Sequence, residues 1–312
     1  VFPTPIPSMD PSELQRLNRR GIPDTGITRK LFRDPGKRVK RVPISIAGKE
    51  GSVSGTAFLP LLQSEQKEAP AILFFHGGGW VLANTLMHDI FCARLAGKLG
   101  IPIFSINYRL APQNRFPAAF HDACAALQWV RQQRQFPVDT AGIYVMGGSA
   151  GGNLAAALAL AEKENYEGRF SAVPQLRGQI LIYPVTDFRM DSPSYSEHAN
   201  APFLSADDME FFISSYIGPD GDIGNPYCSP LLHPDHSGLP PALIIGAELD
   251  PLRDDSARYA EALFESRVQV QYHLCRRAIH GFISIPGNRH TEAALKQIVR
   301  FYHDLEGINY NA

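Results

Sequence analysis

The sequence lacks long hydrophobic runs and has almost no excess charge of either sign. Its apolar stretches fall well short of the roughly 18 residues that a membrane-spanning helix requires, so we expect no stable membrane insertion. Thirty basic and 31 acidic residues leave a formal net charge of −1, which gives no indication of a nucleic-acid partner. No signal-peptide pattern is visible in the sequence.

Cysteines are also few, and none of them forms a C-x-x-C pair. The four lie far apart along the chain, at Cys92, Cys124, Cys228 and Cys275. This spacing favours core or free thiols over a disulfide framework or a zinc site. We therefore predict a reducing compartment, which means a cytoplasmic location, and we predict no metal.

Short apolar runs alternate with helix-like stretches along the 312 residues. Runs such as Ala71 to Phe75 are apolar throughout, which indicates strands covered on both faces. The alternation predicts an α/β fold with a mainly parallel eight-stranded sheet flanked by helices, whose first two strands form an antiparallel edge. The predicted strands are 43–47, 53–59, 70–75, 102–107, 143–147, 178–182, 242–247 and 268–274. The predicted helices are 87–99, 117–134, 150–163, 205–217, 254–266 and 290–305.

The pentapeptide Gly147 to Gly151 carries the strongest chemical signal. It follows the apolar run 143–146, places Ser149 at its centre and opens a helix rich in alanine. Strand, tight glycine turn with a central serine, and helix is the layout of a nucleophile elbow. A plain glycine turn would also fit these five residues. A phosphate cradle is less consistent with them, because neither G-x-x-x-x-G-K-[ST] nor G-x-G-x-x-G is present.

Three further elements follow predicted strands in the order that an acyl-transfer serine needs. Asp250 comes after strand 242–247, and His280 comes after strand 268–274. The glycine run 77–79 follows strand 70–75 and frees consecutive N–H groups to bind an oxyanion. Taken singly, the aspartate fits a helix cap, the histidine a structural residue and the glycines a flexible loop. Their conjunction favours a catalytic site.

These motifs resemble the hormone-sensitive-lipase branch of the α/β-hydrolases, which includes many carboxylesterases. The resemblance spans roughly residues 70–285 and rests on six motifs, which are 76–80 (HGGGW), 108–112 (YRLAP), 147–152 (GGSAGG), 181–184 (LIYP), 250–254 (DPLRD) and 280–282 (HGF). It implies a triad and an oxyanion hole. By resemblance, the triad is Ser149, Asp250 and His280, and the oxyanion donors are the N–H groups of Gly78, Gly79 and Ala150. It also implies that His76 supports the glycine loop and that Tyr108, Arg109 and Tyr183 are structural.

The chain departs from the family pattern at two positions. Gly148 stands where the family usually has aspartate, and Gln113 stands where it usually has glutamate. Both changes remove a carboxylate near the site. We expect them to alter the local hydrogen bonding and the rate, but not the identity of the nucleophile.

Two segments do not fit the sheet pattern, and by resemblance they form a helical cap. The predicted division is 1–42 for the N-terminal part of the cap, 43–184 for the hydrolase core, 185–235 for the cap insertion and 236–312 for the rest of the core. Residues 16–41 carry a net charge of +8 and residues 185–222 a net charge of −7. We therefore expect attraction between the two parts of the cap. Trp80, Phe203 and Leu204 are predicted to line the substrate pocket.

The predicted reaction is hydrolysis of small to medium uncharged esters through an acyl-enzyme, with no cofactor. The alternatives are a lyase, dehydratase or cyclase of a natural-product pathway using the same site, and a catalytically silent ligand receptor. The retained His280 counts against a receptor, which has no need of a base. A homodimer formed by edge-to-edge pairing of strand 268–274 is compatible with the sequence.

Overall fold

The structure is a computed structural model. It describes residues 6–20, 24–31, 33–48, 51–61, 68–170, 175–285 and 287–308. Parts of the predicted N-terminal cap segment, at 1–5, 21–23 and 32, lie outside the described residues.

Eight strands form one sheet, and each falls on a predicted apolar run. They are β1 (Val39–Gly48), β2 (Gly51–Pro60), β3 (Ala69–Phe75), β4 (Ile103–Asn107), β5 (Val138–Gly148), β6 (Gly178–Ile182), β7 (Ala242–Leu249) and β8 (Val270–Ile279). The spatial order is β1-β2-β4-β3-β5-β6-β7-β8. β1 pairs with β2, and β2 with β4, in antiparallel fashion, whereas the remaining neighbours are parallel. The predicted fold class and antiparallel edge are confirmed.

Nine α-helices lie in the described residues. They are α1 (Pro11–Arg20), α2 (Gly26–Leu31), α3 (Leu86–Leu99), α4 (Ala118–Gln132), α5 (Ala150–Lys163), α6 (Pro193–Glu197), α7 (Ala206–Ile217), α8 (Arg253–Glu265) and α9 (Arg289–Glu306). The sequence pattern predicted α3, α4, α5, α7, α8 and α9. It did not predict the short helices of the two presumed cap segments.

The core lies on both faces of the sheet, as the uninterrupted apolar strands require. Leu73 and Phe75 of β3 belong to one apolar cluster, whereas Ile72 and Phe74 of the same strand belong to a second cluster on the other face. This alternation follows from the two-residue period of a strand. All four side chains are fully buried, and each such burial stabilises the fold by about 1.5–3 kcal/mol. β3 is therefore held rigidly, and so is the start of the glycine loop 77–79 that follows it.

The parallel register brings the C-terminal ends of five strands to one edge of the sheet. Phe75 is level with Gly147, Gly148 with Ile182, and Ile182 with Ile245. Ligands of open α/β sheets bind outside these carboxyl ends. The segments that follow β3, β5, β6, β7 and β8 therefore converge there, and they carry the predicted site residues.

Among the residues that the structure describes, no ion pair joins the two oppositely charged segments. In the described part of the chain, ion pairs of the basic segment 16–41 involve Glu13, Asp24, Asp34 and Glu292, and those of 185–222 involve Arg189, Arg253 and Arg258. The N-terminal turn Ile6–Ser8 instead packs against α7, with Ile6 buried in the core. The expected attraction between the two charged segments and the cap boundaries both stay predictions.

β8 is an edge strand, because its only neighbour in the sheet is β7. Tyr272 and Leu274 of this strand are 37% exposed. The predicted homodimer would use this edge, and it stays a prediction. Among the described residues, no helix combines the length and apolarity needed to cross a bilayer.

Candidate active site

Ser149 occupies a strained turn between β5 and α5. Its backbone has φ 57° and ψ −122°, outside the regions that L residues usually adopt. The flanking glycines explain how so sharp a turn fits: a methyl group at Gly147 would overlap the backbone of Gly151, and one at Gly151 would overlap the carbonyl of Phe75. The glycines of the local sequence therefore permit the sharp turn. The buried strands β3 and β6, on either side of β5, keep the strained backbone from relaxing.

His280 lies within hydrogen-bond reach of the serine. The strand β8 runs to Ile279, five residues beyond its predicted end, so His280 follows the strand directly. Its Nε2 is 3.0 Å from Oγ of Ser149, and the two residues are 131 positions apart in sequence. His280 and Ser149 are only 5% and 7% exposed, so little water competes for this contact.

Asp250 completes a continuous relay. Its Oδ2 is 2.7 Å from Nδ1 of His280. A carboxylate can only accept, so Nδ1 carries the proton and Nε2 is left free to accept from the Ser149 hydroxyl. The second oxygen, Oδ1, accepts the Leu252 N–H at 2.9 Å, which fixes the orientation of the fully buried carboxylate. This arrangement can activate an alcohol oxygen as a nucleophile.

The glycine loop after β3 adopts a backbone path that requires glycine. Gly78 and Gly79 have φ of 119° and 60°, where a side chain would be strained. A methyl group at Gly79 would also overlap the ring of Phe212 from α7. The helix α5 begins at Ala150, whose N–H has no partner within its own helix. The three predicted oxyanion donors thus belong to segments that meet at Ser149.

Neutral hydrogen bonds and ring stacking stabilise the start of the glycine loop at His76 and Gly77. The Tyr108 hydroxyl donates to the His76 carbonyl at 2.8 Å, and the two rings stack with centroids 4.2 Å apart. Nδ1 of His76 donates to the Gly77 carbonyl at 2.7 Å. Burial lowers the pKa of His76 to about 4, so the imidazole is uncharged at neutral pH. These contacts fit the supporting role that the resemblance implied.

Tyr183, which the resemblance implied to be structural, lies beside His280. It follows β6 with a φ of 35°, and its ring centroid is 4.6 Å from that of His280. The space beside Gly148 is bounded by the same ring, because a Cβ there would lie 3.3 Å from Cε2 of Tyr183. A carboxylate at 148 would therefore lie close to Tyr183. Gln113, the other departure from the family pattern, is exposed on its loop.

The three predicted pocket residues have different surroundings. Trp80 has no exposed surface, because its ring stacks on Tyr216 at 4.5 Å and meets Phe188 edge-on at 5.2 Å. Leu204 is 4% exposed and packs in the core. Both side chains are thus buried in this structure, and their place in the substrate pocket stays a prediction. Phe203 is 61% exposed and lies against Gly281, next to His280.

Phe212 contacts the glycine loop, and sequence reasoning did not identify this contact. It was one of several aromatic residues in the cap, and nothing in its spacing distinguished it from core residues. Only the packing of α7 onto Gly79 reveals its position over the glycine loop.

A second aspartate near the start of α8, Asp255, is also buried. It is 1% exposed, and its Oδ2 accepts the N–H groups of Thr186 and Asp187 at 2.8 and 3.1 Å. Desolvation by burial, with the negative charges of Asp187 and Asp250, raises its pKa to about 8. Asp255 therefore ties the start of the insertion 185–235 to α8, and burial favours its neutral form.

We expect this carboxyl to make the protein less stable as pH rises. An aspartate in the unfolded chain loses its proton near pH 3.8, whereas the folded chain retains it up to about pH 8, so the unfolded state binds fewer protons between these values. Asp255→Asn keeps an acceptor for both N–H groups and cannot ionise. Urea unfolding at pH 5 and pH 8 should show the wild type losing on the order of 3–4 kcal/mol more than the variant. Parallel pH dependence in the two proteins would contradict this assignment.

Comparison with known proteins agrees with the fold. The family model for the alpha/beta hydrolase fold matches residues 72–284. Esterase LipI of Mycobacterium tuberculosis is 35% identical over 295 residues, which cover 90% of each chain. An ethyl acetate hydrolase of Pseudomonas putida is 38% identical over 214 residues, covering 68% of this chain and 66% of that protein. A hyperthermophilic esterase from the archaeon Pyrobaculum calidifontis has a TM-score of 0.84 and 34% identity, covering 96% of this chain and 93% of that one.

The chain therefore belongs to the α/β-hydrolase family, in its hormone-sensitive-lipase-like branch. The predicted resemblance is confirmed. Among the described residues, no group of three or more His, Cys, Asp or Glu side chains is arranged to hold a metal ion.

Proposed function

We propose that this protein is a serine carboxylesterase that hydrolyses small to medium uncharged esters through an acyl-enzyme. The observation that carries the proposal is the unbroken relay from Ser149 Oγ to His280 Nε2, at 3.0 Å, and from His280 Nδ1 to Asp250 Oδ2, at 2.7 Å. The coarser assignment, a carboxylesterase-type hydrolase, agrees with the esterase names of its relatives. The site also lies at the edge of the sheet where this fold binds ligands.

In the first half-reaction, Ser149 Oγ attacks the ester carbonyl while its proton passes to His280 Nε2. Asp250 holds Nδ1 protonated and stabilises the positive charge that develops on the imidazole. The N–H groups of Gly78, Gly79 and Ala150 receive the carbonyl oxygen as it becomes an oxyanion. Each such donor contributes about 2.7–4 kcal/mol of transition-state stabilisation. His280 then gives the proton to the departing alkoxide, and the acyl group stays on Ser149.

In the second half-reaction, a water molecule replaces the alcohol. His280 takes a proton from the water as it attacks the acyl-enzyme, and returns that proton to Ser149 Oγ as the acid leaves. The products are one carboxylic acid and one alcohol, and the enzyme is regenerated. No step requires a redox or metal cofactor, because only protons and an acyl group move.

Hydrolysis in ¹⁸O-labelled water tests the reaction class. We expect turnover of ethyl butyrate to place one ¹⁸O in each butyrate molecule and none in the ethanol, because water attacks the acyl carbon. Mass spectrometry of both products measures the label. Label in the ethanol, or a product formed by elimination or ring closure without label, would overturn the assignment as an acyl-transfer hydrolase.

A further inference from the structure

Phe203 combines two features that are unfavourable for an ordinary surface residue. Its side chain is 61% exposed, and its backbone has a φ of 78°, in the left-handed region. A bulky residue there is strained by about 1–2 kcal/mol. Exposed apolar surface adds no compensating stability. A strained aromatic side chain beside a catalytic histidine therefore calls for a functional explanation.

The surrounding loop holds Phe203 in this position. The Ala206 N–H donates to the Ala199 carbonyl at 2.9 Å, which closes the loop at the start of α7. Ser205 and Asp208 then cap the helix reciprocally: the Ser205 N–H donates to the Asp208 carboxylate at 2.9 Å, and the Asp208 N–H donates to Ser205 Oγ at 3.1 Å. These hydrogen bonds fix the backbone around Phe203 and therefore the position of its side chain.

The ring lies against the backbone of Gly281, the residue that follows His280. A methyl group at Gly281 would overlap the Phe203 ring, so glycine provides the flat surface on which the ring rests. Phe212, on the helix α7 that follows this loop, contacts Gly79 in the glycine loop and is 4% exposed. The cap therefore places one buried ring on the oxyanion side of Ser149 and one exposed ring on the histidine side.

The chemistry distinguishes these two sides. His280 Nε2 must protonate the leaving alkoxide, so the ester's alkoxy oxygen has to lie within hydrogen-bond distance of that nitrogen. The carbonyl oxygen points away from it, toward the N–H groups of the glycine loop and Ala150. The alcohol portion of a bound ester therefore passes on the histidine side, where the exposed ring of Phe203 lies.

Resting on the proposed function, we propose that Phe203 is a specificity-determining residue that contacts the alcohol portion of the substrate. Its ring offers an apolar face that stacks with another aromatic group, so it favours esters of aryl-alkyl alcohols such as benzyl alcohol over esters of small aliphatic alcohols. The acyl portion extends away from this ring, and its length is not selected by Phe203.

The test is a competition between benzyl butyrate and ethyl butyrate, which share one acyl group. The ratio of their kcat/KM values does not depend on how much of a variant is correctly folded. We expect Phe203→Ala to lower the benzyl-to-ethyl ratio by about 10-fold, because it removes only the contact with the alcohol. The matched control is Phe264→Ala, which removes a phenylalanine that is 73% exposed on α8, and it should leave the ratio within twofold of wild type.

A second variant separates the side chain from the strained backbone. Phe203→Gly removes the ring and also relieves the positive φ. If the ring is the determinant, the glycine and alanine variants lose the benzyl preference equally. An unchanged ratio in both variants, or a change that appears between ethyl acetate and ethyl hexanoate instead, overturns the inference. Failure of the wild type to cleave any of these esters would instead overturn the proposed function.

Discussion

Alanine in place of Ser149 should reduce ester turnover by about 10⁴- to 10⁶-fold, the largest effect that we expect from any single substitution. In the proposed mechanism this hydroxyl forms the acyl-enzyme, and the neighbouring positions of the strained turn, Gly147, Gly148 and Ala150, carry no hydroxyl that could replace it. Initial rates with ethyl butyrate and with a nitrophenyl ester measure the loss. Binding should be retained, because the oxyanion donors are backbone N–H groups and do not depend on the side chain.

Labelling provides the control for this prediction. A fluorophosphonate should add once to the wild type, as measured by intact mass, and should not add to Ser149→Ala. Ser45→Ala, which alters an exposed serine on β1, should be labelled and active like the wild type. Full esterase activity in Ser149→Ala would mean that the nucleophile has been misassigned.

Asparagine in place of Asp250 should lower kcat by about 10³- to 10⁴-fold while KM changes little. An amide nitrogen facing Nδ1 of His280 cannot accept a hydrogen bond from the Nδ1–H group. The imidazole is therefore no longer held in the tautomer that leaves Nε2 free to accept. The fold should survive, because Oδ1 can still accept the Leu252 N–H. Steady-state kinetics, with unfolding by urea as a measure of stability, test both parts of the prediction.

Asp255→Asn is the matched control, because it makes the same substitution five residues away in a carboxyl that is also buried. Asp255 accepts backbone N–H groups of the insertion and does not contact His280 in the described structure. We expect its kcat to stay within about threefold of wild type. An equal loss of kcat in the two variants would show that the relay does not depend on Asp250 specifically.

Much of the sheet could be predicted because buried strands leave a simple pattern. The run 178–182 is apolar apart from Gly178 and Gln179, and its predicted bounds match those of β6. The sequence pattern predicted that β8 ends at 274, because Arg276 and Arg277 interrupt the apolar pattern. In the structure the strand continues to Ile279. An edge strand that is half exposed tolerates such charges, whereas a central strand does not. Because β8 is longer than predicted, His280 directly follows the strand rather than lying farther along a loop.

The cap was predicted less well for a physical reason. α1 and α2 are short and strongly polar, and α1 makes contacts with a distant part of the chain. Asn18, for example, bonds the backbone of Val81 and Ala83 through its side-chain amide. Periodicity cannot reveal contacts of this kind, because no local pattern accompanies them.

The sequence by itself determined which reactive groups are present and in what order, because each one follows a run that predicts a strand of a parallel sheet. Parallel strands end at a common edge, so Ser149, Asp250 and His280 had to approach one another. Only the tertiary structure decided that they form a continuous hydrogen-bonded relay, that Trp80 is buried under Tyr216, and that Phe203 rests on Gly281. These contacts join residues far apart in the chain, so they depend on how distant segments pack together rather than on any local preference.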